Sequence, residues 1–406
     1  MRTPLNRPAC NPNLWLLDPK ITFLNHGSFG ACPRAVLDFQ RELQKRLERQ
    51  PLQFLLRDFE PLMDEAREAL ACFVNVAADD LVLVSNATTG VNTVLRSLQF
   101  KRGDELLVTD HEYNASRNAL NFVAAQFGAK VVVAKIPFPL KSAEEIVGAI
   151  LAHVTKRTRL VLLDHVTSQT GLILPLEHIV RDLSRQGIQT LVDGAHAPGM
   201  IPLNLKKLGA TFYTGNCHKW MCAPKSAAFL YVQRDQQKHI RPLAISHGAN
   251  STRNDRSRFQ IEFGWTGTGD PTPFMSVPAA IKYVGSLVPG GWEEVRVRNH
   301  ALAAAAQKIL CDVLEIEPPC PPGMLGSLAA VLLPAAFARP VRKSPLLLDP
   351  LQDELLFDHA IEVPIIPWPA WPQRCLRVSA QLYNSLPQYE KLAAALKKHF
   401  LTRKSK

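Results

Sequence analysis

Between about residues 80 and 232 of this 406-residue chain, short apolar runs alternate with amphipathic stretches, and few folds tolerate that alternation. The runs fall at 81–84, 105–109, 130–134, 159–163, 190–192, 211–213 and 227–232, and helical periodicity occupies 89–98, 115–127 and 143–153. Near-continuous apolar strands are those covered on both faces, and strands separated by helices are joined by crossovers. The pattern therefore predicts βαβ units on a mainly parallel sheet with helices on both sides. Two more helices are expected upstream, at 33–49 and 60–73, the first with Pro33 in its opening turn, where a missing N–H costs nothing. After about Pro278 the character changes to an alanine-rich helix at 301–313, a proline-rich stretch at 318–322, a strand at 328–333, a loop over 364–372 and a closing helix at 388–400. The expected fold class is α/β, with an N-terminal arm over 1–20, a large ligand-binding domain over 21–278 and a smaller α+β domain over 279–406.

Composition removes several classes of function. A hydrophobic share of 47% against 20% charged residues supplies a full core. No stretch reaches the roughly 20 apolar residues that a bilayer requires, and the longest run, 327–338, is broken by Pro334. The opening residues lack an apolar core followed by a small-residue cleavage site, so no export signal is read. Eight cysteines are scattered without a CxxC pair, which fits a reducing cytoplasm better than a disulfide scaffold. Cys217 and Cys222 flank His218, yet their spacing does not suit zinc and no second pair exists, so no metal is expected. A net charge of +11 raises the question of nucleic acid, but the basic residues are spread along the chain apart from a tail at 397–406, and no nucleic-acid-binding signature accompanies them. A non-catalytic basic binding protein is the alternative from outside enzymology.

In an open α/β sheet, ligands collect beyond the carboxyl ends of the strands, and chemically able residues recur there in this chain. Ser85-Asn-Ala-Thr-Thr-Gly90 leads from a strand into a helix, so Thr88 and Thr89 lie where a helix N-terminus receives a phosphate, or where a hydroxyl simply caps it. Asp110-His-Glu-Tyr-Asn114 brings His111 and Tyr113, either of which can stack on a flat ring. Asp164-His-Val-Thr-Ser-Gln-Thr-Gly171 is dense in hydrogen-bonding side chains. Leu191-Val-Asp-Gly-Ala-His196 ends a strand on Asp193, and Thr214-Gly-Asn-Cys-His-Lys219-Trp220 sets Lys219 between an imidazole and an indole. Such a lysine is either a surface side chain or an amine whose pKa burial lowers until it is nucleophilic. A nucleophilic lysine and a buried carboxylate are what pyridoxal 5'-phosphate chemistry needs. The lysine holds the cofactor as a Schiff base, and the carboxylate keeps a proton on the pyridine nitrogen, which makes the ring an electron sink.

With these motifs the chain resembles the fold-type I, class V aminotransferase superfamily, within it the isopenicillin N epimerase-like branch, over roughly residues 20 to 400. Asn25-His-Gly-Ser-Phe-Gly30, Trp265-Thr-Gly-Thr268 and Arg377-Val-Ser-Ala-Gln-Leu-Tyr-Asn384 complete the matching set. The resemblance implies that Lys219 bears the cofactor and shuttles the proton, and that Asp193 partners the ring nitrogen. Thr88, Thr89, Asn216 and His218 take the phosphate, and His196 and Ser168 contact the ring hydroxyl. Tyr113 or His111 stacks on the ring. It further implies that Arg377 grips the substrate α-carboxylate, with Asn25 and His26 beside it, and that Thr268 reaches the phosphate of a neighbouring subunit in a homodimer with shared active sites.

Two departures stand out. Pro224-Lys225-Ser226 replaces the family's common Lys-Gly, and Gly269 stands where many relatives carry an arginine, which removes a candidate contact to a distal carboxylate of the substrate. The expected function is action at the Cα of an amino acid, as in an epimerase or aminotransferase. Plain transamination, cysteine desulfuration and C–S bond β-elimination are the alternatives, because this architecture serves all of them.

Overall fold

The structure is a computed structural model that describes residues 4–335 and 349–404. The first three residues of the expected arm, positions 336–338 of the apolar run and the last two of the basic tail lie outside the described residues. Seven strands build the large sheet: β1 (Leu81–Val84), β2 (Glu105–Thr109), β3 (Lys130–Ala134), β4 (Thr158–Asp164), β5 (Gln189–Asp193), β6 (Phe212–Asn216) and β7 (Ala228–Val232). Their order is β1-β7-β6-β5-β4-β2-β3. All neighbours run parallel except β7, which is antiparallel to both β1 and β6. Two antiparallel steps restore direction, so β1, β2, β4, β5 and β6 present their carboxyl ends along one edge.

Burial on both faces explains the run of Leu160, Val161, Leu162 and Leu163, all fully shielded, each worth roughly 1.5–3 kcal/mol relative to exposure. Helices α1 (Arg34–Arg49), α2 (Phe59–Val74), α3 (Ala87–Ser97), α4 (Asn114–Phe127), α5 (Ala143–Leu151) and α6 (Leu176–Arg185) precede or link the strands. Pro33 is the residue that caps α1 from outside rather than part of its first turn. Strand β6 lies about three residues beyond its expected end, because polar Thr214 and Gly215 continue it. Thr214 satisfies its hydroxyl on the Phe229 carbonyl at 2.8 Å, and a Cβ on Gly215 would meet Pro198 and Phe229 at 2.7 and 2.8 Å.

A second sheet is antiparallel, formed by β8 (Leu328–Leu333), β9 (Ile365–Pro367) and β10 (Arg374–Ser379) with β10 in the centre. The expected loop at 364–372 thus begins as an edge strand, where proline is tolerated because its missing N–H faces outward. Helix α7 (Gly291–Leu314) starts ten residues earlier than expected. Its added turns bury polar Arg298 and Asn299, which apolar periodicity overlooks. Arg298 donates to the Arg7 carbonyl at 2.6 Å and Asn299 to Gln381 at 3.0 Å. Helix α8 (Pro350–His359) precedes Ile361–Glu362, which pairs in parallel with Thr22–Phe23. That short pairing carries the segment at Asn25–Gly30 to the edge of both sheets, where the Ser379 N–H donates to the Leu24 carbonyl at 2.9 Å. The closing helix α9 spans Leu386–Lys404. Among the described residues no helix is long and apolar enough to cross a membrane.

Candidate active site

Lys219 follows β6 on a loop pinned to β7, where the Cys217 and His218 N–H groups both donate to the Ala227 carbonyl. Burial, helped by the positive Arg377 and opposed by Asp193 and Asp164, lowers the Lys219 amine to about 7. Its Nζ lies 3.1 Å from His196 Nε2. The Trp220 indole donates to His196 Nδ1 at 3.3 Å, and burial holds the ring well below its ordinary pKa. His196 is therefore neutral with its proton on Nε2. An ammonium on Lys219 would face an N–H, so this pair favours the free amine.

The Lys219 backbone is fixed from beneath. His26 Nε2 donates to the Lys219 carbonyl at 3.0 Å, and His26 Nδ1 accepts from the Tyr383 hydroxyl at 2.8 Å. His26 is fully buried and its pKa is lowered to about 3 by burial, so it faces the lysine's main chain and not the cleft in which a substrate contact was expected. Gly30 has φ +71°, and a Cβ there would stand 2.1 Å from the His218 carbonyl oxygen. Gly30→Ala should displace the Lys219 loop and lower cofactor occupancy, readable as a lower ratio of visible to ultraviolet absorbance. Unchanged occupancy would show that the loop is free to move. Ser226, at the site of the family's glycine, also has positive φ, 70°. Ser226→Gly should stabilise the protein by about 1 kcal/mol in thermal unfolding.

Asp193 ends β5, in register with Asp164 on β4 and Thr214 on β6. Its Oδ2 accepts from Ser116 at 2.7 Å and its Oδ1 from the Ala195 N–H at 3.0 Å. Burial raises its pKa, while Ser116, Ala195 and Lys219 pull it back. At the start of α3, Asn86 is the cap: its Oδ1 accepts from the Thr89 N–H at 2.8 Å. Asn216 Oδ1 accepts from the Ala87 N–H at 2.8 Å, tying β6 to the helix N-terminus. The Thr89 hydroxyl lies 2.9 Å from that of Ser85. His218 donates from Nδ1 to the Ala227 carbonyl at 3.1 Å, and burial lowers it to about 4.

Arg377 in β10 is 3% exposed, and burial brings it down to about 10. One terminal nitrogen donates to the Ser168 carbonyl, and the other to the Ser28 hydroxyl at 2.9 Å. Ser28 in turn donates to Asn25 Oδ1 at 2.5 Å. Ser168 thus sits beside Arg377, and Ser28 joins the site although no role was read for it in its motif. His111 and Tyr113 part company. His111 is 1% exposed, with Nδ1 2.8 Å from the Thr170 hydroxyl, Nε2 3.3 Å from the Ile136 carbonyl and the Trp368 ring edge-on at 4.3 Å. Tyr113 caps α4, is 43% exposed and lies near enough to Arg377 to influence its charge. Thr268 and Gly269 lie on an exposed loop; Gly269 lines one cavity with Ser85 and Thr89, and nothing lies within 4 Å of a Cβ on Gly269. Cys375, two residues from Arg377, is buried with its thiol pushed up to about 12, and Cys320 is buried and raised to about 11.

The aminotransferase class-V family model matches residues 33–322. Isopenicillin N epimerase of Amycolatopsis lactamdurans is 36% identical over 94% of this chain and 96% of its own length. The probable chloroplastic L-cysteine desulfhydrase of Arabidopsis thaliana is 30% identical over 93% of this chain and 83% of its own length. Among solved structures, a variant of C-DES with glycine covalently linked to its PLP cofactor has a TM-score of 0.78 at 23% identity, covering 93% of this chain and 97% of that one, and so shares the fold. The chain belongs to the class-V aminotransferase family of pyridoxal-phosphate-dependent enzymes.

Proposed function

We propose that this enzyme removes the Cα proton of an α-amino acid, with Lys219 as the base and epimerisation as the leading outcome. The observation that carries the reading is the Lys219 amine, buried and lowered to about 7 beside neutral His196 and Arg377. The residues fit pyridoxal phosphate: a nucleophilic amine for its aldehyde, a buried carboxylate at Asp193 with Asp164 Oδ2 unpartnered beside it, and a helix N-terminus flanked by hydroxyls for its phosphate. Bound there, the cofactor supplies an electron-withdrawing ring that stabilises negative charge at Cα.

The chain's own groups divide the work. Thr88, Thr89, Asn216 and His218 hold the phosphate, His196 orients the Lys219 amine, and Asp193 faces the ring nitrogen. Tyr113, half-exposed and near Arg377, covers the ring face in place of the buried His111. The Arg377 fork takes the α-carboxylate, a planar match that lysine does not offer. Arg377→Lys should raise KM for amino acids by about 10- to 100-fold with the bound cofactor's spectrum intact. An unchanged KM would move the carboxylate site elsewhere. Epimerisation needs a proton donor and acceptor on each face of Cα. Lys219 Nζ serves one, and the Tyr113 hydroxyl is suited to the other.

β-Elimination from a cysteine-like substrate is the second reading. It is favoured by Gly269, which stands where many relatives carry an arginine and has nothing within 4 Å of a Cβ, and by the desulfhydrase relatives. Persulfide-forming desulfuration is disfavoured, because Cys375 is buried and its thiol is held protonated. The exposed Thr268 loop and exposed Leu52, Leu56, Leu243 and Ile245 support a homodimer that completes each site, and the free cysteines support a cytoplasmic enzyme. The test is an absorption titration with L- and D-amino acids in deuterated water, followed by mass analysis. Deuterium at Cα with inversion supports epimerisation, and keto acid with sulfide supports elimination. A protein that stays colourless with added pyridoxal phosphate would favour the binding-protein reading.

A further inference from the structure

Behind Asp193 lie two more carboxylates that the proposed chemistry does not use. One oxygen each of Glu112, Asp164 and Asp193 falls within 4.8 Å of the others, and all three residues are buried. They come from separate elements: Asp164 and Asp193 from the adjacent ends of β4 and β5, and Glu112 from the turn between β2 and α4. Glu112 is only 5% exposed, and both of its carboxylate oxygens lack a hydrogen-bond partner, as does Asp164 Oδ2. The other groups that bear on Glu112 are the Arg117 guanidinium and the Tyr113 N–H, both weaker than the push from burial and the two aspartates.

Three like charges cannot share a dry space of this size, so at least one must keep its proton. The three are not equivalent. Asp193 accepts from Ser116 and from the Ala195 N–H, both of which favour its ionised form, and Lys219 adds positive charge nearby. Glu112 has no comparable support. A protonated Glu112 would have an O–H to donate into the aspartate pair, which fills the vacancy at Asp164 Oδ2 as well as its own.

We propose that Glu112 is a positioning residue held as the neutral acid, whose single proton, shared with Asp164, takes up part of the cluster's negative charge and leaves Asp193 ionised toward the cofactor's ring nitrogen. The inference rests on the assignment of Asp193 to that nitrogen. Glu112 touches neither substrate nor cofactor. It acts through Asp164 and Asp193 by fixing where the cluster's protons reside.

The first measurement uses cofactor-free protein at pH 7 and so does not depend on the reaction. Infrared difference spectroscopy should show a protonated-carboxyl stretch that shifts in deuterated water and disappears in Glu112→Gln. A wild-type protein without that band, or a band that survives in Glu112→Gln, overturns the proposal, as would a stoichiometric divalent cation found by elemental analysis. The second measurement compares variants of the holoenzyme. Glu112→Ala, which leaves the aspartates without a donor, should lower turnover by about 10- to 100-fold and shift the pH midpoint of the bound cofactor's visible band. Glu112→Gln, a neutral donor of nearly the same shape, should restore most of the turnover and the wild-type midpoint. A Glu112→Gln variant as impaired as Asp193→Asn would mean that Glu112 works as an anion, and the proposal fails. If instead Asp193→Asn is harmless while the infrared band is present, the ring-nitrogen assignment fails and the protonation of Glu112 stands.

Discussion

Lys219→Ala is expected to abolish the visible absorbance of the bound cofactor and to lower turnover by at least about 10⁴-fold, the upper range for loss of a positioned proton-transfer group. Two functions converge on one atom. On the proposed assignment Nζ would be both the nucleophile for the cofactor's aldehyde and the base for the Cα proton. The same geometry gives a pH signature in the cofactor-free protein. Because burial lowers the amine from 10.5 to about 7, the unprotonated and reactive form grows as pH rises and is half-populated near pH 7. The rate of pyridoxal phosphate capture should therefore rise through pH 7 and level off above it. A rate that climbs only near pH 10, as for an ordinary lysine, would mean that the amine is solvated. An unchanged visible band in Lys219→Ala would remove the lysine from the site altogether.

What the sequence revealed and what it withheld follow from the same physics. Apolar strands shielded on both faces leave a one-dimensional trace, so the seven strands of the large sheet were legible between Leu81 and Val232. Strand β6 was read short because its last residues are polar, and their partners, such as the Phe229 carbonyl for Thr214, lie far along the chain. The start of α7 was lost for the same reason at Arg298 and Asn299. At the site, Lys219, Asp193 and Arg377 announce themselves through residue type and neighbours. The separation of His111 from Tyr113 does not, because both follow the same strand and only tertiary packing against Thr170 and Trp368 buries one of them. Nor does the inward turn of His26, whose partners Tyr383 and the Lys219 carbonyl are 357 and 193 residues away. Glu112 lay in plain view within the motif at Asp110–Asn114 and Ser116 just after it, yet nothing local indicates that they converge on Asp193.

Asp193→Asn should leave the cofactor bound but lower turnover by about 10²- to 10³-fold, the cost of losing one preorganised electrostatic partner of a developing charge. The substitution nearly preserves shape. Asparagine Oδ1 can still accept from the Ala195 N–H, and its amide can meet the Ser116 hydroxyl, so geometry survives while charge does not. Stability should move the other way. Burial raises the Asp193 carboxyl above its ordinary value, so the folded protein binds a proton that the unfolded chain releases. That penalty is absent below the ordinary carboxylate range and grows as pH rises through the elevated folded value. At neutral pH the cofactor-free Asp193→Asn protein should therefore unfold at a higher temperature than the parent, and the gap should narrow as pH falls toward about 4. Calorimetry of the cofactor-free proteins at several pH values, set beside single-turnover rates of the loaded ones, tests both halves. A variant that is slower and also less stable at neutral pH would mean that Asp193 is held by its hydrogen bonds for structure. A variant that is slower and more stable would mark a charge kept in a costly place because the ring nitrogen requires it.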